Sequence, residues 1–368
     1  MVKVIRTAGM GRRGPLPVKR SKIADWVRRA IAVGEYAVGE RLPDRSWFQA
    51  KFGANPTSVQ CAFDSLKEDG LIRSVSGHGT SVADPLPFKG RYLLFLKGEQ
   101  KDGGSRFFAE ALVAAAKKIA RRRKVRFEVR HLVEAGADSV EYAEMLNLVR
   151  RQRYAGVFVQ GASYSRDLDT ITNVDNVPIA LFEPKSALAQ GSQVVALEGI
   201  RDFNERSLCC HLEDLRRRGC RKIAIFYPRG VRSVDAESVL PYVRKAGLSL
   251  VPEGFHTTDL SFWDARQFKR LVRLFLSSEG GKAADGVILG DENFLEPFAA
   301  ACREKLGRGA TDRYAVSSHC NFPLLPKCDF PTGFHGVDCL AMLESFVEYV
   351  DARRRAVRRP PLPRVVVK

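Results

Sequence analysis

The sequence predicts an α/β chain in two parts: a small N-terminal winged helix-turn-helix joined to a larger, two-lobed α/β domain. Three observations lead there. Residues 21–70 carry three short apolar stripes at helical spacing, followed by a hairpin pattern. From residue 91 onward, near-continuous apolar runs alternate with amphipathic helices, which suits parallel strands covered on both faces. The length, 368 residues, fits two or three domains at roughly 100–200 residues each.

The head reads in order. Residues 1–20 form a basic arm, with Lys3, Arg6, Arg12, Arg13, Lys19 and Arg20. In residues 21–33, Ile23, Val27, Ala30 and Ile31 share one helical face, and Gly34 ends the helix. A second helix fits residues 45–52 and stops at Gly53. The third starts at Asn55-Pro56, a good N-cap followed by a proline suited to the first helical position. Its stripe is Val59, Ala62, Phe63 and Leu66. Gly70 ends it, and runs 71–75 and 80–82 flank Ser76-Gly77-His78-Gly79 as a hairpin. Residues 84–90, with Pro85, Pro87 and Gly90, read as a linker.

The second part, residues 91–368, offers strands at 92–96, 125–133, 156–161, 177–182, 194–197, 222–227, 286–289 and 314–317. Helices fit 106–123, 139–153, 200–218, 264–278 and 292–306. The basic runs at 121–124 and 353–355 read as solvated helix ends.

Composition narrows the function. Lys and Arg total 60 against 42 Asp and Glu, a formal charge of +18. Residues 1–83 hold 14 of the basic and 7 of the acidic groups, so charge is denser in the head. That favours a polyanionic partner. No apolar run approaches a membrane span, and no secretory signal opens the chain, which points to the cytoplasm. The eight cysteines include no Cys-x-x-Cys pair, which argues against zinc-ribbon and thioredoxin readings. They read as reduced, buried, small apolar groups.

A winged helix-turn-helix lays its third helix in the major groove. Thr57, Ser58 and Gln60 face outward there, and glutamine pairs well with adenine. Cys61 and Asp64 share that outward face. The helix N-terminus after Asn55 suits a phosphate. Arg45, Ser46 and Lys51 flank it, and the wing tip Gly77-His78-Gly79 suits the minor groove. The competing reading is a protein-interaction module without specific DNA readout.

Residues 22–83 resemble the DNA-binding domain of GntR-type bacterial transcription regulators. The matching pieces are residues 30–35, 39–43, 57–59, 66–72 and 77–82, in the family's order and spacing. The head departs from the family at Asp44-Arg45-Ser46 in place of Ser-Glu-Arg, at Pro56 and Gln60 where arginine is frequent, and at His78 in the wing. The resemblance therefore implies the fold and groove geometry but not the usual operator sequence.

Residues 91–368 resemble the periplasmic-sugar-binding-protein-like effector domain of LacI-type repressors. The resemblance rests on the strand–helix order, on residues 284–291, on 314–316 followed by His319-Cys320-Asn321 as an exit loop, and on 209–212 through 219–224. It implies a homodimer on a palindromic operator and a small, sugar-like effector held between two lobes. Ligands of such sheets sit beyond the strand carboxyl ends. Those ends carry Lys97, Gln160, Glu183, Arg229, Asp291, His319 and Asn321, with Phe107, Phe182, Trp263 and Phe322 as aromatic candidates. Phe107 and Phe182 individually favour the core. No catalytic residue, metal or cofactor is expected. Two further alternatives are an enzymatic effector domain, such as the pyridoxal-phosphate-binding aminotransferase-like domain of some regulators with such heads, and a transport solute-binding protein.

Overall fold

The computed structural model describes residues 2–4, 18–32, 34–84, 86–97, 106–132, 140–151, 153–160, 177–182, 194–229, 234–260, 263–354 and 359–368. The chain divides into two compact units. One comprises residues 1–98, 116–197 and 343–363, the other 99–115, 198–342 and 364–368.

The first unit contains the head and one sheet. The head has helices α1 (Val18–Ala32), α2 (Arg45–Phe52) and α3 (Pro56–Glu68), then an antiparallel hairpin of β2 (Ile72–Val75) and β3 (Gly79–Val82). Asp44 caps α2 by accepting from the Trp47 N–H, and Asn55 caps α3 by accepting from the Ser58 N–H. Gly53 and Gly77 hold positive φ of 54° and 74°, a conformation most side chains avoid. The predicted stripes converge: Ile23, Val27, Phe48, Val59, Phe63 and Leu66 form one buried core. Residues 39–42 run beside β3, with the Leu42 N–H on the Thr80 carbonyl and the Val82 N–H on the Glu40 carbonyl.

The segment read as a linker is packed. Phe88 is buried in the head core, Leu86 lies against it, and the Arg91 N–H bonds the Phe88 carbonyl. The arm also differs from expectation. Val2–Val4 form β1, parallel to β5 (Arg126–Leu132) at the edge of the first sheet. Arg6, Arg12 and Arg13 lie outside the described residues.

That sheet runs β1-β5-β4-β6-β7-β8, all parallel, with β4 (Arg91–Lys97), β6 (Gly156–Gln160), β7 (Ile179–Phe182) and β8 (Val194–Val195). Its apolar runs alternate between faces. Leu93, Phe95, Val157 and Val159 pack on Leu146 and Val149 of α5 (Val140–Arg150). Tyr92 and Phe158 pack instead on Phe346, and Phe127 stacks on Tyr92. α4 (Arg106–Arg123) has its predicted bounds, but its basic end is not merely solvated: Arg122 and Arg123 pair with Glu344 and Arg123 also with Glu348.

The second unit is built on a parallel sheet of order β10-β9-β11-β12-β13. Its strands are β9 (Lys222–Pro228), β10 (Ser249–Thr258), β11 (Gly286–Leu289), β12 (Ala315–Phe322) and β13 (Thr332–Asp338). Ile223, Ile225 and Tyr227 face α6 (Phe203–Arg217) and α7 (Ala236–Lys245); Ala224 and Phe226 face α8 (Ala265–Ser277) and α10 (Leu295–Leu306), the short α9 (Glu279–Ala283) lying between these last two in sequence. α11 (Ala310–Arg313) leads into β12, and α12 (Cys339–Arg354) follows β13.

β12 is longer than predicted. His319, Cys320 and Asn321 belong to the strand, paired with His335, Gly336 and Val337, and form no exit loop. β10 and β13 went unrecognised because Pro252 and Gly254 interrupt one, with a register shift between Leu250 and Phe255, and Gly333 and Gly336 dilute the other.

Candidate nucleic-acid interface and effector site

In the head, the outward end of α3 is built as the helix pattern requires. Asn55 and Thr57 are exposed, and Ser58 and Gln60 are half-exposed. Part of this polar inventory is committed internally. The Ser58 N–H bonds Asn55 Oδ1 at 2.8 Å, and Gln60 Nε2 donates to Asp64 Oδ1 at 2.7 Å. Ser46 Oγ donates to Asp44 Oδ1 at 2.6 Å. Arg45 is exposed and lies 5.2 Å from the Phe63 ring centroid. Lys51 is placed differently from a free phosphate contact: its ammonium sits 4.1 Å from the Trp26 ring and 4.5 Å from the Trp47 ring, within cation–π range. Gly77, His78 and Gly79 are exposed at the wing, with His78 Nδ1 3.2 Å from the Ser76 carbonyl.

One cation escaped the sequence reading. Arg41 is exposed, and its backbone bridges to Ser81 of the wing. Its guanidinium lies where a Cβ on Gly79 would fall, 2.8 Å from its Nε. Glycine at the wing therefore makes room for an arginine, a pairing across about forty residues that no local pattern reveals.

In the second unit, the carboxyl ends of β11 and β12 hold a compact polar group. β12 runs past the end of β11, since Leu289 pairs with Ser318. Asp291 follows β11 and caps the 3-10 turn Glu292–Phe294, accepting from the Asn293 N–H at 2.9 Å and from Asn293 Nδ2 at 2.6 Å. Burial raises its pKa to about 6, against those two hydrogen bonds. The neighbouring Glu292 is buried, and burial, with the Asp291 charge, lifts it to about 8. Its two oxygens accept from the Asn321 N–H at 2.5 Å and from Asn321 Nδ2 at 2.7 Å. Glu292 thus positions Asn321, while both bonds from Asn293 fall on Asp291 Oδ1.

His319 shares this region. Burial depresses its pKa to about 4, with a hydrogen bond to Asn321 opposing the shift. At neutral pH it is an uncharged donor and acceptor. His211, buried on α6, bonds Ser317 Oγ through Nδ1 at 2.9 Å and sits edge-on to His335 at 5.4 Å between centroids. Burial, with His319 and His335 nearby, holds it well below the ordinary value. The Cys320 thiol is buried and pushed up by burial, then by Glu292. The thiols are not uniformly buried, however: Cys209 is exposed.

The remaining candidates scatter. Trp263 stacks at a tilt on Phe268 and Phe294, 5.6 Å and 5.4 Å away, covering the core beside the turn that carries Glu292. Arg229 is exposed after β9, its N–H on the Thr258 carbonyl. Phe322 is half-buried, with Lys368 Nζ 5.5 Å from its ring. Gln160, buried, ends β6 in the other unit. Glu183 lies outside the described residues. Phe107 and Phe182 are half-buried.

Gly290 was not singled out by sequence. A Cβ there would run into the Tyr227 ring, which is buried beside it. Gly290→Ala is expected to cost about 1–3 kcal/mol by overpacking, read as a lower denaturant midpoint with unchanged slope.

Comparison with known proteins follows the same division. Residues 19–82 match the model described as bacterial regulatory proteins, gntR family. An uncharacterised HTH-type transcriptional regulator of Rhizobium meliloti (strain 1021) is 32% identical over 105 residues, 27% of this chain and 43% of that protein. The mannosyl-D-glycerate transport/metabolism system repressor MngR of Escherichia coli (strain K12) is 38% identical over 71 residues, 19% of this chain and 29% of that one. The chain thus spans less than half the length of these curated relatives. Among solved structures, a regulatory protein of the LacI family from Chloroflexus aggregans superposes with TM-score 0.54 at 14% identity, covering 74% of this chain and 94% of that one. A CelR–cellobiose complex gives TM-score 0.52 at 13% identity over 86% and 90%. At such identity the likeness is one of fold. Residues 19–82 thus match the gntR family model, and the two parallel sheets share the fold of solved LacI-family regulators.

Proposed function

We propose that this chain is a sequence-specific transcription repressor whose operator affinity is set by a small, sugar-like effector. The observation that carries this reading is the N-terminal end of α3, capped by Asn55 and presenting Thr57, Ser58 and Gln60 beside a glycine wing and Arg41. The positive end of such a helix favours phosphate, and side chains there reach base edges.

The strand-end groups of the second unit support a binding role for a polyhydroxylated ligand. Asp291 accepts, neutral His319 donates or accepts, and Asn321 is held in place by Glu292. Trp263 packs on Phe294 of the turn that carries Glu292, and Phe322 follows Asn321 in β12. A structural relative is solved with cellobiose, and a curated relative is named for mannosyl-D-glycerate. The thiol of Cys320, held protonated by burial, argues against a nucleophile there, and we read the domain as non-enzymatic. No described helix is long and apolar enough to cross a membrane, and we place the protein with DNA in the cytoplasm. The working form is a homodimer on a palindromic operator. Regulation is linkage: the effector prefers one conformation, and operator affinity changes with it.

In vitro selection of random duplex DNA at physiological salt tests the reading. A two-half-site palindrome is expected. Recovery of DNA with no shared sequence would leave only non-specific electrostatic binding. Gln60→Ala is expected to relax preference at one base position, by about 1–3 kcal/mol of discrimination if the contact is bidentate, without changing the rest of the selected site.

A further inference from the structure

We propose that the first sheet domain grips the recognition helix by its C-terminal end, making Arg151 and Arg153 the positioning residues that aim α3 at DNA. This rests on the DNA-binding reading above. Asp69, the C-cap of α3, has no exposed surface. Three guanidinium groups converge on its carboxylate. Arg28 of α1 contributes Nη2 at 2.8 Å, Arg151 contributes Nη2 at 3.0 Å, and Arg153 contributes Nη2 at 3.3 Å. Arg28 belongs to the head; the other two follow α5 and precede β6. Arg153 also donates to the carbonyls of Glu68 and Asp69, each at 3.3 Å. These are the last acceptors of the helix, where positive charge is favoured.

The joint is reinforced around the same point. The Gly70 position abuts Pro87, Phe88 fills the head core, and the Ala155 N–H bonds the Arg91 carbonyl at 2.6 Å. The connection between head and sheet is therefore side-chain packing and charge as well as covalent chain.

Geometry makes the grip consequential. α3 has 13 residues, about 20 Å of helix. A tilt of about 10° at the gripped end moves the DNA-reading end by about 3 Å, more than base-edge hydrogen bonds tolerate. A buried carboxylate that loses its cations is left uncompensated, so the grip is made or broken rather than loosened by degrees. β6 runs directly from this grip to Gln160, buried at its carboxyl end. One strand thus links the clamp to a strand-end ligand position.

The test uses the full chain with Arg151→Ala/Arg153→Ala. Asp69 is left alone, because removing it would strand the Arg28 side chain, only 7% exposed. Binding is measured to a duplex with one selected half-site, and to duplexes whose two half-sites are separated by inserted base pairs. In the wild type, insertion is expected to weaken binding about tenfold or more, since half-site spacing is a rigid geometric match. In the double variant, half-site affinity stays within about twofold while the insertion penalty falls to about twofold. A full penalty in the variant overturns the proposal, as does loss of half-site binding in a variant that melts normally, which would mean the arginines serve the head's fold or touch DNA. Failure of the DNA-binding reading is a separate result: the wild type would select no operator at all.

Discussion

Phe63→Ala is expected to abolish operator binding while leaving both parallel sheets folded. The ring is 1% exposed and sits at the centre of the head, 5.1 Å from Phe48 in an edge-on contact, with the Arg45 guanidinium 5.2 Å away. It belongs to the buried stripe of α3, so its loss removes none of the side chains of Thr57, Ser58 and Gln60. Truncating a buried phenylalanine costs about 3–5 kcal/mol, the transfer loss plus the cavity left behind. A three-helix head with a single small core has little reserve against that. Far-ultraviolet circular dichroism should retain the strand signal and lose part of the helical one, with half-site affinity falling at least a hundredfold, about 2.7 kcal/mol. Wild-type affinity in the variant would show that the α3 core is not what presents the reading residues.

Glu292→Gln is expected to remove a fall in stability expected of the wild type between pH 6.5 and 8. Burial, then the Asp291 charge, lifts this carboxyl from 4.5 to about 8. Between those values the folded chain keeps a proton that the unfolded chain has released. The group's contribution is therefore complete below pH 4.5, declines as pH rises, and is gone above about 8, at up to about 1.4 kcal/mol per pH unit. Asp291, raised from 3.8 to about 6, acts in the same sense over a lower window. His319 acts oppositely: depressed from 6.5 to about 4, it contributes fully above 6.5 and loses that contribution as pH falls to about 4. Above 6.5 the Glu292 titration thus stands apart from those two. A glutamine keeps an oxygen for the Asn321 N–H and has no proton to lose. Thermal melting across pH 6.5–8 should slope downward in the wild type and run flat in the variant. Equal slopes in both would show that Glu292 is ionised throughout that range.

The head was legible almost residue by residue, because its signals are local. Asn55-Pro56 starts α3, Gly53 and Gly70 bound the turns, and the stripe Val59, Ala62, Phe63, Leu66 becomes the buried face. The parallel sheets were legible where strands are unbroken apolar runs, as in Tyr92–Leu96 and Ile223–Phe226. β10 and β13 were lost because proline and glycine break their pattern, and β12 was cut short because His319-Cys320-Asn321 looks like a polar loop. In the structure the polar groups of β12 find partners from elsewhere: Asn321 bonds Glu292, and Ser317 bonds His211 of α6.

Three things are legible in the residues alone: the fold class, the Asn55-capped start of α3 and the place of Asp291 after an apolar strand. All of these follow from the periodicity of neighbouring residues and from capping chemistry within one turn. Tertiary structure alone decided the rest. It seated Lys51 over two indoles, set Arg41 against Gly79, lifted the Glu292 carboxyl by burial, and gathered Arg28, Arg151 and Arg153 on Asp69. These depend on which distant side chains share a volume, and on the water that sharing excludes, and neither quantity is encoded in the spacing of residues along the chain.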